Sequence, residues 1–147
     1  MKAKQNMTLE DIIANGEDSQ VEVELDEIHP NQLAGEMVAF ANTYGGRILL
    51  GIDDEGNIVG VKRENIDEWI ANISSNNCQP TILPQISRIR VNGNIVIIIE
   101  VQKGVEPHKV SDGRYYIRVG SINREMSTFE LARLFQQRQL VFLKRHQ

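Results

Sequence analysis

The residues of this sequence best suited to chemistry are arginines, with one tyrosine among them, that recur two positions apart in its second half. Arg88 and Arg90 fall on one face of a predicted strand, and Arg114, Tyr116 and Arg118 fall on one face of another. Arginine binds phosphate through two parallel donors, and a tyrosine ring offers a nucleobase a stacking surface. The pattern predicts contact with a nucleic acid. A solvated outer sheet face that keeps a hairpin soluble explains the same pattern without a ligand.

A predicted C-terminal helix adds Arg133 and Arg138 to this set. If the helix and the arginine-bearing strands meet, their cations form a groove for a nucleic-acid backbone. Arg118 has a second interpretation that stays open, because it is equally suited to an ion pair with one of the acidic turns.

Charge is distributed unevenly along the 147 residues, whose net charge is −4. Residues 1–70 hold 15 acids and 5 Lys/Arg, which gives −10, whereas residues 71–147 hold 5 acids and 11 Lys/Arg, which gives +6. This asymmetry predicts an acidic region and a basic region that stay apart after folding. The alternative is that the two halves intermix in the fold and the asymmetry disappears.

Other site chemistries find little support in the sequence. The three histidines are scattered, and the single Cys78 excludes an internal disulfide and a cysteine-rich zinc site. Gly45 and Gly46 follow a predicted helix and precede a strand, the reverse of a Walker loop, so a Walker-type ATPase is disfavoured. There is no secretory signal and no apolar run long enough for a bilayer, so we expect a cytoplasmic protein without a membrane partner.

The elements that must position these residues follow from apolar periodicity and from capping and turn residues. An Asn92-Gly93 pair between two apolar runs predicts a tight β-hairpin. The predicted helices are 8–15, 31–43, 64–77 and 129–143, and the predicted strands are 21–25, 47–53, 58–61, 86–91, 95–101 and 115–119. Their order predicts an α+β fold in which a single mixed sheet with a β-hairpin is packed by about four helices. We expect one domain over residues 1–147, with its core at about residues 9–135.

Several of these segments, in this order and spacing, resemble a known family. The segments are Glu17–Glu22, Ala39–Gly46, Leu50–Asp54, Ile58–Val61, Pro107–His108 and Tyr115–Ser121. Together they resemble the Schlafen-type AlbA_2 domain over nearly the whole chain. The resemblance implies the AlbA_2 fold and a nucleic-acid-binding domain of the kind often found in bacterial transcriptional regulators.

The same resemblance implies a candidate set of carboxylates. In animal Schlafen proteins a similar domain carries an RNase site of three carboxylates that depends on a divalent metal, and the matching positions here are Glu17, Glu22 and Asp54. Mg²⁺ or Mn²⁺ held by acidic oxygens would stabilise charge on a phosphodiester and activate a nucleophile. The family commonly has a lysine shortly after the second glutamate, where this chain has Glu24. That exchange disfavours phosphate contact at this strand and favours metal binding.

Three functions remain open on the sequence alone. The leading one is a nucleic-acid-binding module of the DNA-binding regulator type, which needs no cofactor. The second is a metal-dependent endoribonuclease that uses Glu17, Glu22 and Asp54; without such chemistry, Asp54 only favours its turn and Glu17 is a solvated loop charge. The third is a protein-interaction or homo-oligomerisation module that docks through the apolar segment Leu140–Leu143.

Overall fold

The computed structural model describes residues 8–145, with side chains through Gln139. The helices are α1 (Leu9–Asn15), α2 (Pro30–Ala41), α3 (Ile66–Asn76) and α4 (Thr128–Arg145), and the strands are β1 (Val21–Glu24), β2 (Gly46–Leu50), β3 (Cys78–Gln79), β4 (Gln85–Val91), β5 (Asn94–Val101), β6 (Lys109–Val110), β7 (Tyr116–Val119) and β8 (Ile122–Glu125). The predicted α+β fold with a mixed sheet, a hairpin and four helices is confirmed.

A four-stranded mixed sheet forms the centre of the molecule, in the order β1-β2-β5-β4. Strands β1 and β2 are parallel and are joined through α2, whereas β5 is antiparallel to both of its neighbours. The β4–β5 hairpin turns at Asn92 and Gly93, whose φ angles are 50° and 83°. Positive φ at both central residues is the geometry that an Asn-Gly pair favours, because it matches the twist of the two strands.

Each face of this sheet is covered by apolar side chains from helices. On one face, Leu9 and Ile12 of α1 pack with Val23, Leu49 and Val96. On the other face, α2 and α3 pack against the opposite side chains of the strands, and the cluster includes Met37, Phe40, Ile48, Ile70, Ile97 and Ile99. The period-two alternation of a strand therefore serves two separate cores.

Helix α2 is the most deeply buried element among the described residues. Every residue from Leu33 to Ala41 is buried, including Glu36. The main sheet covers one side of α2, and β6 and the β7–β8 hairpin cover other sides of the same helix. No face of Leu33–Ala41 is therefore left to solvent. None of the described helices is long and apolar enough to cross a membrane.

Several local features differ from the sequence-based prediction. The short strands β3 and β6 were not predicted, and they pair with each other in a two-stranded sheet. Residues 58–61 form no strand, and only Ile58 makes an isolated bridge, to Ile52. Strand β8 was not predicted, because Ile122–Glu125 is mostly polar and exposed and shows no clear alternation. Strand β7 was predicted to belong to the single mixed sheet, but it pairs with β8 in a separate two-stranded sheet.

Candidate functional site

The acidic face of β1 meets α2 and forms a buried group of carboxylates. Glu22 and Glu24 lie two positions apart on the strand, so both project from the same face, and Glu36 of α2 lies opposite them. One carboxylate oxygen from each of the three residues lies within 4.8 Å of the other two. We refer to Glu22, Glu24 and Glu36 as the carboxylate cluster.

Arg118 of β7 reaches into this cluster from the hairpin. Its side chain is 1% exposed, and its Nη1 donates to Oε2 of Glu22 and to Oδ1 of Asn123. Its Nη2 donates to the backbone oxygens of Asp18 (2.6 Å) and Val21 (2.9 Å), and the guanidinium lies 4.9 Å from the ring centroid of Phe40. Arg118 thereby fastens the β7–β8 hairpin to β1.

Burial dominates the electrostatics of the cluster. Desolvation raises the pKa of Glu22, and the hydrogen bond with Glu17 raises it further, while Arg118 lowers it. Desolvation likewise raises the pKa of Glu36, and the adjoining Glu24 adds to that effect, so that Glu36 is protonated and donates its hydrogen bond to Glu24. The pKa of Glu24 is also raised, first by burial and then by the negative charges of Glu17 and Asp54.

The three carboxylates implied by the family resemblance are brought only partly together. The carboxyl of Glu17 is hydrogen-bonded to that of Glu22, and its Oε2 accepts a hydrogen bond from the Val23 N–H at 3.2 Å. Asp54 is exposed in the turn after β2, where it lines a cavity of about 210 Å³ together with Glu17. Glu17 therefore contacts Glu22 and lines the same cavity as Asp54.

The arginine set predicted from the sequence does not form one groove. Arg88 and Arg90 lie on β4 of the main sheet, whereas Tyr116 and Arg118 lie on β7, in a separate sheet that packs on α2. Tyr116 is half-buried with its ring beside Gly35 of α2, so Tyr116 and Arg118 face the helix and not solvent, whereas Arg114 is exposed.

Two members of that set are excluded from a surface role by burial. Arg118 is committed to Glu22, which corresponds to the ion-pair interpretation, although its partner lies on a strand and not in a turn. Arg138 is also buried, and its Nη2 donates to the backbone oxygen of Ala41 at 3.2 Å. Neither guanidinium is exposed to a phosphate, so their predicted contact with nucleic acid is not compatible with this geometry.

The remaining predicted arginines are exposed. Arg88 pairs with Asp67 of α3 at 3.2 Å, and Arg114 lies 4.0 Å from both Asp112 and Glu125. Arg90 and Arg133 have no acidic partner among the described residues, and Arg133 lies over the ring of Phe129. The apolar segment Leu140–Leu143 proposed for docking lies beyond the described side chains.

A further cleft lies at the junction of the α2–β2 loop with the end of β5. It has a volume of about 640 Å³, and its lining includes Tyr44, Arg47, Glu100 and Lys103. Tyr44 is 74% exposed, and Lys103 Nζ lies 5.7 Å from its ring centroid. Arg47 pairs with Glu100 at 3.1 Å on the cleft wall. We refer to these features as the Tyr44 cleft.

The glycine that follows Tyr44 shapes this cleft. Gly45 has a φ of 77°, and a Cβ there would lie 2.8 Å from the backbone oxygen of Val101. Only glycine fits such a close approach of two backbones at positive φ. The close approach holds Tyr44 beside the end of β5, from which Lys103 follows.

Two residues of the cluster and the cleft were missed by sequence reasoning for different reasons. Glu36 stands alone among apolar residues in Leu33–Ala41, and an isolated acid on a buried face is the signal that would have marked it. Tyr44 lies between a predicted helix end and two glycines, where it passes for a loop residue. Nothing in the local sequence pairs it with Lys103, because that proximity arises from the pairing of β2 with β5.

Comparison with known proteins places this architecture in a family. Residues 17–127 match the family described as Schlafen, AlbA_2, a range that contains β1, the whole of α2, the cluster, and the residues Tyr44, Arg47, Glu100 and Lys103 of the cleft. The chain belongs to the Schlafen AlbA_2 family. The resemblance carried by the sequence motifs is thereby confirmed, and no curated protein matches the chain.

Two solved structures share the fold of this AlbA_2 domain. The DIP2311 protein from Corynebacterium diphtheriae is 24% identical with a TM-score of 0.64, and the match covers 80% of this chain but only 29% of that protein. The N-terminal domain of a protein from Nitrosomonas europaea, named as related to the ATP-dependent DNA helicase RecG, is 21% identical with a TM-score of 0.62. That match covers 82% of this chain and 87% of the domain. At these identities the likeness concerns the fold.

Proposed function

We propose that this AlbA_2 domain binds nucleic acid, and that it holds a single-stranded segment across the Tyr44 cleft. The observation that carries the proposal is an aromatic ring left 74% exposed beside a lysine, at the mouth of a cleft of about 640 Å³. Aromatic side chains flanked by cations are the usual platform for single-stranded nucleic acid, because every base has a face that stacks. The RecG-related name of one structural relative supports the same class of partner.

The chemistry of the cleft favours stacking over a strong electrostatic grip. Lys103 and Arg47 supply positive charge, but Asp18 and Glu100 line the same cleft and offset it. A bound strand would therefore gain its affinity from a base on Tyr44 and from one phosphate near Lys103. The cleft volume lies within the range of sites that hold small molecules, so a nucleoside fits there.

Binding of short labelled single strands of DNA and RNA, measured by fluorescence anisotropy, tests this proposal. We expect Tyr44→Ala to weaken binding roughly 5- to 100-fold, which is the effect of losing one stacked base. Phe129→Ala is the matched control, because Phe129 is similarly exposed at 70% but lies on α4. Absence of binding by the unmodified chain at low salt would contradict the function. Equal affinity of the unmodified chain and Tyr44→Ala would show that the strand does not bind in the Tyr44 cleft.

A second candidate function is a metal-dependent endoribonuclease. The observation that favours it is the hydrogen bond between the Glu17 and Glu22 carboxyls, with Asp54 on the cavity that Glu17 lines. Mg²⁺ or Mn²⁺ at these residues would supply the charge stabilisation that phosphodiester cleavage needs. Structured RNA incubated with Mn²⁺ tests it: cleavage that Asp54→Asn abolishes supports the enzyme, and intact RNA with every divalent ion tried excludes it.

A further inference from the structure

The carboxylate cluster has the geometry of a cation site. Its members come from two elements, with Glu22 and Glu24 on β1 and Glu36 on α2, and three oxygens lie within 4.8 Å of one another. Oxygen ligands about 2.3–2.6 Å from a Ca²⁺-sized ion are separated by up to roughly 5 Å when they lie on opposite sides of it. One ion therefore reaches all three carboxylates.

Among the described residues, Arg118 is the cation in contact with the cluster, through Glu22. If the proton on Glu36 is lost, three carboxylates face one guanidinium and two negative charges are left uncompensated, the charge that a divalent cation neutralises. The carboxylates of Glu17 and Asp54 act on Glu24 and make the local field more negative still.

An unpartnered oxygen of Glu36 is a second, independent indication of a cation site. Glu36 is 3% exposed, and its Oε1 has no hydrogen-bond partner among the described residues. A buried acceptor without a partner loses the hydrogen bonds that water gave it in the unfolded chain. A cation among the three carboxylates provides the missing partner.

The cluster is also connected to solvent. Glu24 is half-buried and lines a cavity of about 340 Å³ whose other walls include Glu27, Asp53, Asp54 and Glu55. An approach lined by carboxylates attracts cations and raises their local concentration. An ion in this cavity can therefore reach Glu24.

We propose that Glu22, Glu24 and Glu36 bind a hard divalent cation that joins β1 to α2. This set shares only Glu22 with the three carboxylates of the candidate endoribonuclease. The proposed cation site therefore does not require that the protein cleaves RNA or binds nucleic acid. Without the ion, the proton that Glu36 donates to Glu24 is the neutralising particle. Binding of the cation releases that proton.

Thermal unfolding of the metal-stripped chain at near-neutral pH, with and without Mn²⁺, Ca²⁺ or Mg²⁺, tests this site. We expect a saturable rise in Tm on the order of 5 °C when the ion is in large excess over its Kd. Electron paramagnetic resonance of added Mn²⁺ measures its bound fraction without any assay of activity. No rise in Tm with any of the three ions, together with free Mn²⁺ only, would overturn the proposal.

Two pairs of variants assign the ligands. Glu36→Gln and Glu24→Lys should both fold, because each removes negative charge from the cluster, and both should abolish the ion-dependent rise in Tm. Asp54→Asn and Glu17→Gln should retain it. If Asp54→Asn abolishes the response and Glu36→Gln does not, the ion is held by the residues of the candidate endoribonuclease, and the present assignment is wrong.

Discussion

At the scale of single residues, Asn42 and Thr43 of the family-like segment Ala39–Gly46 have a structural role. Asn42 is buried, and its side-chain nitrogen donates to the backbone oxygens of His108 (2.8 Å) and Tyr116 (2.9 Å) while its Oδ1 accepts from the His108 N–H (2.8 Å). Next to it, the Thr43 hydroxyl accepts from the Arg118 N–H at 3.0 Å. Asn42 and Thr43 therefore connect the end of α2 to β7 and to the residue before β6.

We expect Asn42→Ala to destabilise the protein by about 3 kcal/mol, because it leaves three buried backbone groups of His108 and Tyr116 without partners. Urea unfolding followed by circular dichroism measures the loss. Asn72→Ala is the control, since Asn72 is exposed on α3, and its effect should stay within about 0.5 kcal/mol. A loss below about 1 kcal/mol for Asn42→Ala would show that water or another group replaces the amide.

At the scale of elements, the sequence-based prediction was most accurate where a few neighbouring residues determine the local structure. The predicted helix 8–15 is confirmed as α1, which Thr8 caps in a capping box with Asp11. The Asn92-Gly93 hairpin depends on two residues alone. Strand β8 has no such local signal, because its place is set by pairing with β7 and by the contact of both strands with α2. The prediction of a strand at 58–61 was wrong because strand formation also depends on pairing, and only Ile58 forms a bridge, to Ile52.

The start of α4 gives a prediction at this scale. Ser127 accepts from the Glu130 N–H, Glu130 Oε1 accepts from the Ser127 N–H, and Arg124 donates to both oxygens of Glu130 at 2.9 and 2.6 Å. The hydrogen bonds from Arg124, followed by those from Ser127, lower the pKa of Glu130 from 4.5 to about 2. A carboxyl with a depressed pKa stabilises the fold above its unfolded pKa and loses that contribution as the pH falls.

We therefore expect the Glu130 carboxyl carbon to titrate with a midpoint near 2 in an NMR pH series, and the cap of α4 to weaken only between about pH 4.5 and 2. Arg124→Gln should move the midpoint upward, because it removes the largest cause of the shift. An unmodified chain in which Glu130 titrates at its ordinary value would show that the Arg124 pair does not persist in solution.

At the scale of the whole molecule, the two halves of the sequence intermix, so the predicted separation of acidic and basic regions is wrong. Arg47 pairs with Glu100, Arg88 with Asp67, and Arg118 with Glu22, and each pair joins one half of the chain to the other. The charge of each half could be counted in the sequence. The pairing could not, because it follows from β2 lying beside β5 and from β7 reaching β1 across α2.

Interleaved charge has a measurable consequence for nucleic-acid binding. Of the two described cations that line the Tyr44 cleft, Arg47 is paired with Glu100. A bound single strand should therefore make only one or two phosphate contacts, and log affinity should fall with log salt with a slope of about −0.7 to −1.4. We expect Lys103→Gln to reduce the magnitude of the slope by about 0.7, and Arg88→Gln/Arg90→Gln to leave it unchanged. The double variant is matched in chemistry but lies on β4. A slope steeper than about −4 that the double variant flattens would place the strand on the β4–β5 hairpin instead, because only a cluster of phosphate contacts there could produce it.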